Sequence, residues 1–355
     1  MNKFSKHEKN FMARKPNPPD ASELDLSLAI RAAWLSYIGG RTQGQIAERL
    51  NISQAKVHRL IAEALKQGLV KVFVQGEPAD CLALEDALSR QFGLQRCIVA
   101  PDLGTADLAQ GDATDAHQIF AAIGSAAARL LHQELACGSV KVVGVGKGRS
   151  LAAMVDRLPS IRRSDLRIVS VSGSLTRSLA ANPLDIVLRL AGHTGGEGYF
   201  LPVPYLAKNL TEKGILLSQD SIRSMLDLAR HADLVLIGIG SLEGDAHLRQ
   251  VGMIADSEWS DLKAHGAVGD LMGSFIDAEG RPVASAVNQL SVGLGLQDLM
   301  GQDPRNRQVI AVAGGAHKAA AILAALRTGA LTGLVTDERT AAAVVQLAGG
   351  KSEAA

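Results

Sequence analysis

Two hydrophobic grammars divide the chain. Between residues 25 and 71 apolar positions recur at helical spacing and no proline interrupts them. Leu28, Ala32 and Leu35 fall on one face of a first predicted helix, which Gly39-Gly40 ends. Thr42 caps a second helix that carries Ile46, Ala47 and Leu50 inward. Ser53 caps a third, striped by Val57, Leu60, Ile61, Ala64 and Leu65 and stopped at Gly68; Leu69–Val74 then reads as a short strand. Residues 1–24 are polar, contain Pro16, Pro18 and Pro19, and read as a flexible arm ahead of a helical domain at 25–75.

From about residue 80 to 350 short β-branched runs alternate with Ala/Leu-rich helical stretches. The runs are Cys97–Ala100, Val140–Val145, Leu166–Val171, Leu234–Ile239, Val309–Val312 and Leu334–Thr336. Helices are expected near Ile119–Leu135, Leu151–Leu158, Leu184–Gly192, Ser221–Ala232, His317–Arg327 and Glu338–Leu347. Continuously apolar strands alternating with helices predict βαβ crossovers, hence an α/β domain with a parallel sheet covered on both faces.

Within the first stretch, residues 43–62 (QGQIAERLNISQAKVHRLIA) fit a helix-turn-helix. Ala47 supplies the small residue where two steeply crossed helices touch. Ile46, Leu50, Ile52, Val57 and Leu60 supply the apolar contacts, and Asn51 tolerates the left-handed turn that glycine usually fills. The outward positions Ser53, Gln54, Lys56, His58 and Arg59 suit a DNA groove: Gln pairs with adenine, Arg with guanine, Lys and Ser with phosphate. Thr42 and Gln43 sit at a helix N-terminus, where free N–H groups meet phosphate. A solvated three-helix bundle is the competing reading. Charge favours DNA: residues 1–80 hold 12 Lys/Arg against 8 Asp/Glu, while the remainder holds 25 against 28.

Composition removes other classes. Apolar content of 47% with 21% charged residues excludes a disordered chain. No run of about 18 uncharged apolar residues predicts a membrane span, and the first twenty residues lack the apolar core of a secretion signal. The three cysteines, 16 and 40 residues apart, fit neither a disulfide framework nor a zinc site, so a reducing, cytoplasmic setting is expected.

Candidate chemistry lies in four loops. Gly144–Ser150 (GVGKGRS) follows a strand and opens a helix, placing glycines and amide N–H groups for an anion. It is not a Walker A loop, because Gly148 follows Lys147, and its GxGxG spacing is not the dinucleotide fingerprint. A small-anion or polyol loop and a generic glycine turn both survive. Ser172-Gly173-Ser174 with Arg177 offers hydroxyls and a guanidinium; Gly314-Gly315-Ala316-His317-Lys318 offers a cation one turn into a helix; Gly266–Asp270 offers a carboxylate for hydroxyl groups. Together they predict a cationic, hydroxyl-binding pocket with few aromatics, suited to a sugar phosphate or polyol. His193, His247 and His317 lack metal-ligand spacing, so neither metal nor cofactor is expected, and Met225, Met253 and Met272 read as core fillers.

The helix-turn-helix followed by GVGKGRS, SGSLTR, LPVPYL, ADLVLIGIG, GAVGDLMGSFIDAEGRPV and VIAVAGGAHKAAAILAAL resembles the SorC family of bacterial sugar-responsive transcriptional regulators, over about residues 25–350. The resemblance implies a Rossmann-like effector and oligomerisation domain at 80–350, similar in fold to sugar-phosphate isomerases. It implies a homotetramer, a dimer of dimers, that binds operator DNA and responds to a phosphorylated sugar or sugar alcohol. Carried onto this chain, the effector residues are Gly146, Gly148, Arg149, Ser150, Ser172, Gly173, Ser174, Arg177, Asp270, Gly314, Gly315 and Lys318, with Lys318 on the phosphate. Lys147 stands where the family often has a bulky aromatic, and Ser150 where it has Thr; the extra cation either favours a more anionic ligand or pairs with an acid. A repressor of a carbohydrate or sugar-alcohol operon is the expected function. A sugar-phosphate isomerase with an attached DNA-binding domain, using Asp270 as base, is the alternative.

Overall fold

The computed structural model describes residues 21–71, 76, 78–103, 113–174, 186–243, 247–250, 252–300 and 307–349. Residues 1–20 of the expected arm, Val72–Val74 of the expected strand, and Arg177 lie outside them. The chain divides between Lys71 and Val72 into two compact units.

The first unit is three helices. Helix α1 (Ala21–Ala33) begins inside the stretch expected as arm and runs into a π-helical turn, Trp34–Ile38, closed by Gly39 N–H donating to the Trp34 carbonyl at 2.9 Å. Helix α2 (Gln43–Leu50) opens on a capping box: Thr42 Oγ1 accepts from Gln45 N–H while the Gln45 amide oxygen accepts from Thr42 N–H. Asn51 takes the left-handed conformation, φ 54 and ψ 48, and turns the chain into α3 (Gln54–Lys66), whose first turn is capped by Ser53. Ala29, Ala32 and Ala33 of α1 pack against Val57, Leu60, Ile61 and Ala64 of α3 over Ile46. Leu65, expected in that stripe, is 43% exposed; it lies at the stripe's far edge, eight residues on from Val57.

The second unit is a seven-stranded, all-parallel sheet between two helical layers. In chain order its elements are α4 (Ala79–Phe92), β1 (Arg96–Ala100), α5 (Ala113–Ala136), β2 (Val142–Val145), α6 (Arg149–Arg157), β3 (Arg167–Ser170), α7 (Ile186–Thr194), β4 (Glu197–Tyr199), α8 (Leu210–Ser218), α9 (Asp220–Arg230), β5 (Leu234–Ile237), β6 (Gly240–Ser241), α10 (His247–Gln250), α11 (Asp256–Ala264), β7 (Gly269–Leu271), β8 (Ser274–Ile276), α12 (Leu296–Leu299), β9 (Gln308–Val312), α13 (Ala319–Arg327), β10 (Gly333–Asp337) and α14 (Glu338–Gly349). The sheet order is β1-β10-β9-β5-β2-β3-β4.

All six strands read from the sequence are present, for the reason anticipated. Along β5, Leu234 and Leu236 enter the core under α5, α6 and α7, while Val235 and Ile237 enter the opposite core under α4, α9, α13 and α14. A strand buried on both faces must be apolar throughout, and each such side chain contributes roughly 1.5–3 kcal/mol. Strand β4 (Glu-Gly-Tyr) and a small antiparallel sheet, β6-β7-β8, were not legible. Gly269–Asp270, read as loop, begins β7 instead. Gly269 is there because α13 presses on it: a Cβ would stand 2.7 Å from Ala321 Cβ.

Strand order reverses around β2 and β5. Strands β3 and β4 lie to one side of β2, and β5, β9, β10 and β1 to the other. The carboxyl ends of β2, β5 and β9 therefore open a crevice between diverging loops, the usual binding position in open α/β sheets.

Candidate functional site

In the first unit the cap geometry orients the reading surface. Fixing Ser53 as N-cap turns Gln54, His58 and Arg59 of α3 outward, and all three are exposed. The His58 Nδ1 lies 3.4 Å from the Gln43 amide nitrogen, linking α3 to the start of α2. Thr42 and Ser53 are exposed but spend their side-chain oxygens on helix N–H groups. Lys56 is half-buried and pairs with Asp25 of α1 at 3.4 Å, which draws its ammonium away from the outermost face. Of the expected groups, Gln54, His58 and Arg59 thus stand exposed on α3, with half-buried Gln43 beside His58.

In the second unit the crevice holds a cleft of about 1020 Å³, its open mouth included. Gly146, Gly148, Arg149 and Ser150 reach it from the β2–α6 turn, Ser172 from the end of β3, Asp270 from β7, and Lys318 from the turn before α13. Gly148 has φ 142, outside the range of other residues, and it caps α6 without a side chain. That leaves the α6 amide N–H groups directed toward the cleft.

The other expected residues support the walls without lining it. Gly173 is clamped on the Val203–Pro204 backbone: a Cβ there would clash with the Pro204 carbonyl and stand 2.7 Å from that of Val203. Ser174 N–H donates to Val203 O at 2.7 Å. Gly314 lies against Asp337 and Ile123. Gly315, at φ 102, gives its N–H to Asp337 Oδ2 (2.9 Å) and Thr340 Oγ1 (2.8 Å). Arg177 lies outside the described residues.

Charge is organised by depth. Asp270 is 7% exposed; its Oδ2 accepts from Tyr205 O–H and Gly273 N–H, both at 3.2 Å. Gly240 is paired with it across β6–β7, and any side chain at 240 would occupy the carboxylate's place. Burial raises the Asp270 pKa against the opposing effect of Gly273, Tyr205 and Lys318. Burial and the neighbouring carboxylate keep the Tyr205 phenol protonated far above its usual range. Lys318 donates to the Ile239 carbonyl at 3.1 Å; burial, and then the positive charge of Arg149, lower its pKa. His317 is lowered by burial and by Lys318 and Arg149, which favours neutral imidazole at pH 7. At the mouth, Arg149 lies over the Phe120 ring (5.0 Å) and Lys147 over Phe200 (5.7 Å).

The raised Asp270 pKa has a definite sign. A carboxyl whose folded pKa exceeds its unfolded value contributes most below the unfolded value and loses that contribution as pH rises through the folded one. Asp270→Asn mimics the neutral acid. Its melting temperature is expected to gain on the wild type progressively between pH 4.5 and 8 in scanning fluorimetry; a pH-independent difference would refute the assignment.

One expectation changes. The pocket is not poor in aromatics: Phe120, Tyr205, Trp259 and Phe275 line it, four of the chain's twelve. They come from α5, the 200s loop, α11 and β8, so no local motif announces them. Met272 is buried in the core as read, and it also borders the cleft, at φ 52 in a tight turn between β7 and β8. Glu243, Ser241 and His317 complete the rim. Among the described residues no three His, Cys, Asp or Glu side chains converge as for a metal ion, and no helix is long and apolar enough to cross a membrane.

Comparison with known proteins places both units. The Sugar-bind model, of a sugar-binding domain, matches residues 76–346, and the MarR family model matches 32–80. The erythritol catabolism regulatory protein EryD of Brucella abortus is 37% identical over 93% of this chain and its own whole length. The transcriptional regulator LsrR of an Enterobacter species is 32% identical over 91% of this chain and 94% of its own. In fold, the full-length sorbitol operon regulator SorC from Klebsiella pneumoniae covers 90% of this chain and 99% of its own, with TM-score 0.64 at 24% identity.

Proposed function

We propose, on the premise that this chain belongs to the SorC family of sugar-binding bacterial transcriptional regulators, that it represses a carbohydrate or sugar-alcohol operon until a small polyhydroxylated ligand fills the cleft. It is a sugar-responsive transcriptional regulator, not an isomerase: its relatives are named as regulators. The observation that carries the reading is the meeting of Arg149, Lys318 and Asp270 in one cleft of a chain whose other unit presents a capped, exposed recognition helix. Hydroxyls would be held by Asp270, Ser172 and Ser150, and an anionic group by Arg149, Lys318 and the α6 N-terminus. Gly173, Ser174, Gly314 and Gly315 support that pocket. The name of EryD makes a four-carbon sugar alcohol, free or phosphorylated, the first ligand to try.

One helix-turn-helix reads only a few base pairs, so an operator of repeated half-sites and a homotetramer, working in the cytoplasm, complete the proposal. Ligand and DNA would be coupled as any two ligands are, through different affinities of one conformational equilibrium. Fluorescence anisotropy with DNA from upstream of its own gene tests the whole. Tight binding that weakens steeply with salt, survives competitor DNA, and is relieved by a sugar alcohol or its phosphate is expected. Binding that competitor removes would refute it. Arg59→Ala should cost about tenfold in operator affinity, since a bidentate base contact is worth roughly 1–3 kcal/mol, while ligand binding measured calorimetrically stays as it was.

A further inference from the structure

Both helices of the helix-turn-helix open without the charge that a helix start favours. A helix N-terminus carries partial positive charge and is stabilised by an acid in its first turn, as in α4, α8, α9, α11 and α14. The first turns of α2 and α3 hold no acid. That of α3 holds Lys56 instead, whose backbone N–H donates to the Ser53 hydroxyl at 3.2 Å. A cation there weakens the helix it opens unless an anion lies near. Two anions can serve: a carboxylate of the protein, or a phosphate of the duplex, which a helix start also attracts.

The carboxylate comes from α1. Asp25 lies one turn before Ala29, which packs against α3, and its Oδ1 is 3.4 Å from Lys56 Nζ. The pair is loose and wet, with the Lys56 side chain 33% exposed and that of Asp25 63%. Such a pair contributes little to folding and opens readily. Lys56 also lies one turn before the exposed Arg59, so its stem flanks the groove-facing side of α3. Its ammonium stands at the rim of the reading surface, where the carboxylate and a phosphate compete for it.

Resting on the function proposed above, we infer that Asp25 is a specificity-determining residue for DNA. It stands in for a phosphate in the free protein and releases Lys56 only when Gln54 and Arg59 have seated α3 in a matching groove. On unrelated sequence α3 lacks those base contacts, Lys56 stays on Asp25, and each helix-turn-helix withholds one backbone contact. Sequence-independent binding comes from phosphate contacts, so withholding one weakens it more than it weakens operator binding.

Fluorescence anisotropy on the full-length protein decides this, with a duplex from upstream of its own gene and one of shuffled sequence, over a range of about 50 to 200 mM salt. Asp25→Asn is expected to tighten binding of the shuffled duplex at least about threefold. Its salt slope should steepen by about one for each helix-turn-helix engaged. The preference for the upstream duplex then falls, and Asp25→Ser should behave alike. Adding Lys56→Met to Asp25→Asn should abolish both changes, because the released cation is what makes the new contact. A shuffled-duplex slope unchanged in Asp25→Asn and Asp25→Ser overturns the inference. So does a gain that persists in the double variant, which would mean only that a negative charge had been lost. Either result leaves the regulator reading standing, whereas a wild type that binds the two duplexes equally overturns both.

Discussion

Lys318→Ala is expected to lower ligand affinity by at least about 30-fold, because truncating one partner of a buried charge set typically costs 2 kcal/mol or more. The ammonium is the most enclosed cation of the cleft. It donates to the Ile239 carbonyl, lies near Asp270, and faces Arg149. Removal leaves the Ile239 carbonyl without this donor and Asp270 without its nearest positive charge, in surroundings that already disfavour ionisation. In the anisotropy assay, the ligand concentration that releases operator DNA should rise by the same factor, while affinity in the absence of ligand stays within about twofold. Lys318→Met keeps the apolar stem and should behave like the alanine variant, assigning the effect to charge and not to lost packing. A release midpoint unchanged in both variants would remove Lys318 from the site.

Gly173→Ala is the largest stability effect expected. The glycine lies where the chain leaving β3 crosses the Val203–Pro204 backbone, with its own N–H bonded to Val292 O at 3.0 Å. A methyl group there meets carbonyl and carbonyl carbon, neither of which can rotate away as a side-chain tip would. Overpacking ordinarily costs about 1–3 kcal/mol and sometimes more; with three main-chain atoms opposing the methyl, at least about 3 kcal/mol is expected. Denaturant unfolding monitored by circular dichroism should show a lower midpoint with an unchanged slope. Wild-type stability joined to weakened ligand binding would mean instead that Gly173 itself contacts the ligand.

These variants mark where a sequence is transparent and where it is not. The six parallel strands were legible because burial on both faces forces continuous Val, Ile and Leu. The helix-turn-helix was legible because its constraints fall within twenty consecutive residues. Strand β4 escaped because a three-residue Glu-Gly-Tyr edge has neither length nor alternation. Helix α4, ahead of β1, and helices α8 and α11, between expected strands, went unread. The glycine-rich loops were found, but glycine serves two ends that look alike in one dimension. Gly146 and Gly148 make room for a ligand, whereas Gly173 and Gly314 make room for the protein itself. The aromatic lining was invisible for a different reason. Phe120 and Phe275 are 155 residues apart in the chain and meet only once the sheet has closed.

That closure gives the ligand a mechanical role. Segments near residues 120, 147, 172, 205, 240, 270 and 318 all end at one opening, because the order of strands reverses there. A molecule seated in it would tie seven distant stretches of one polypeptide together, so its departure would free them together. Amide hydrogen exchange across β2, β5 and β9 should therefore slow in unison on loading, a signal that can be read with no DNA in the tube.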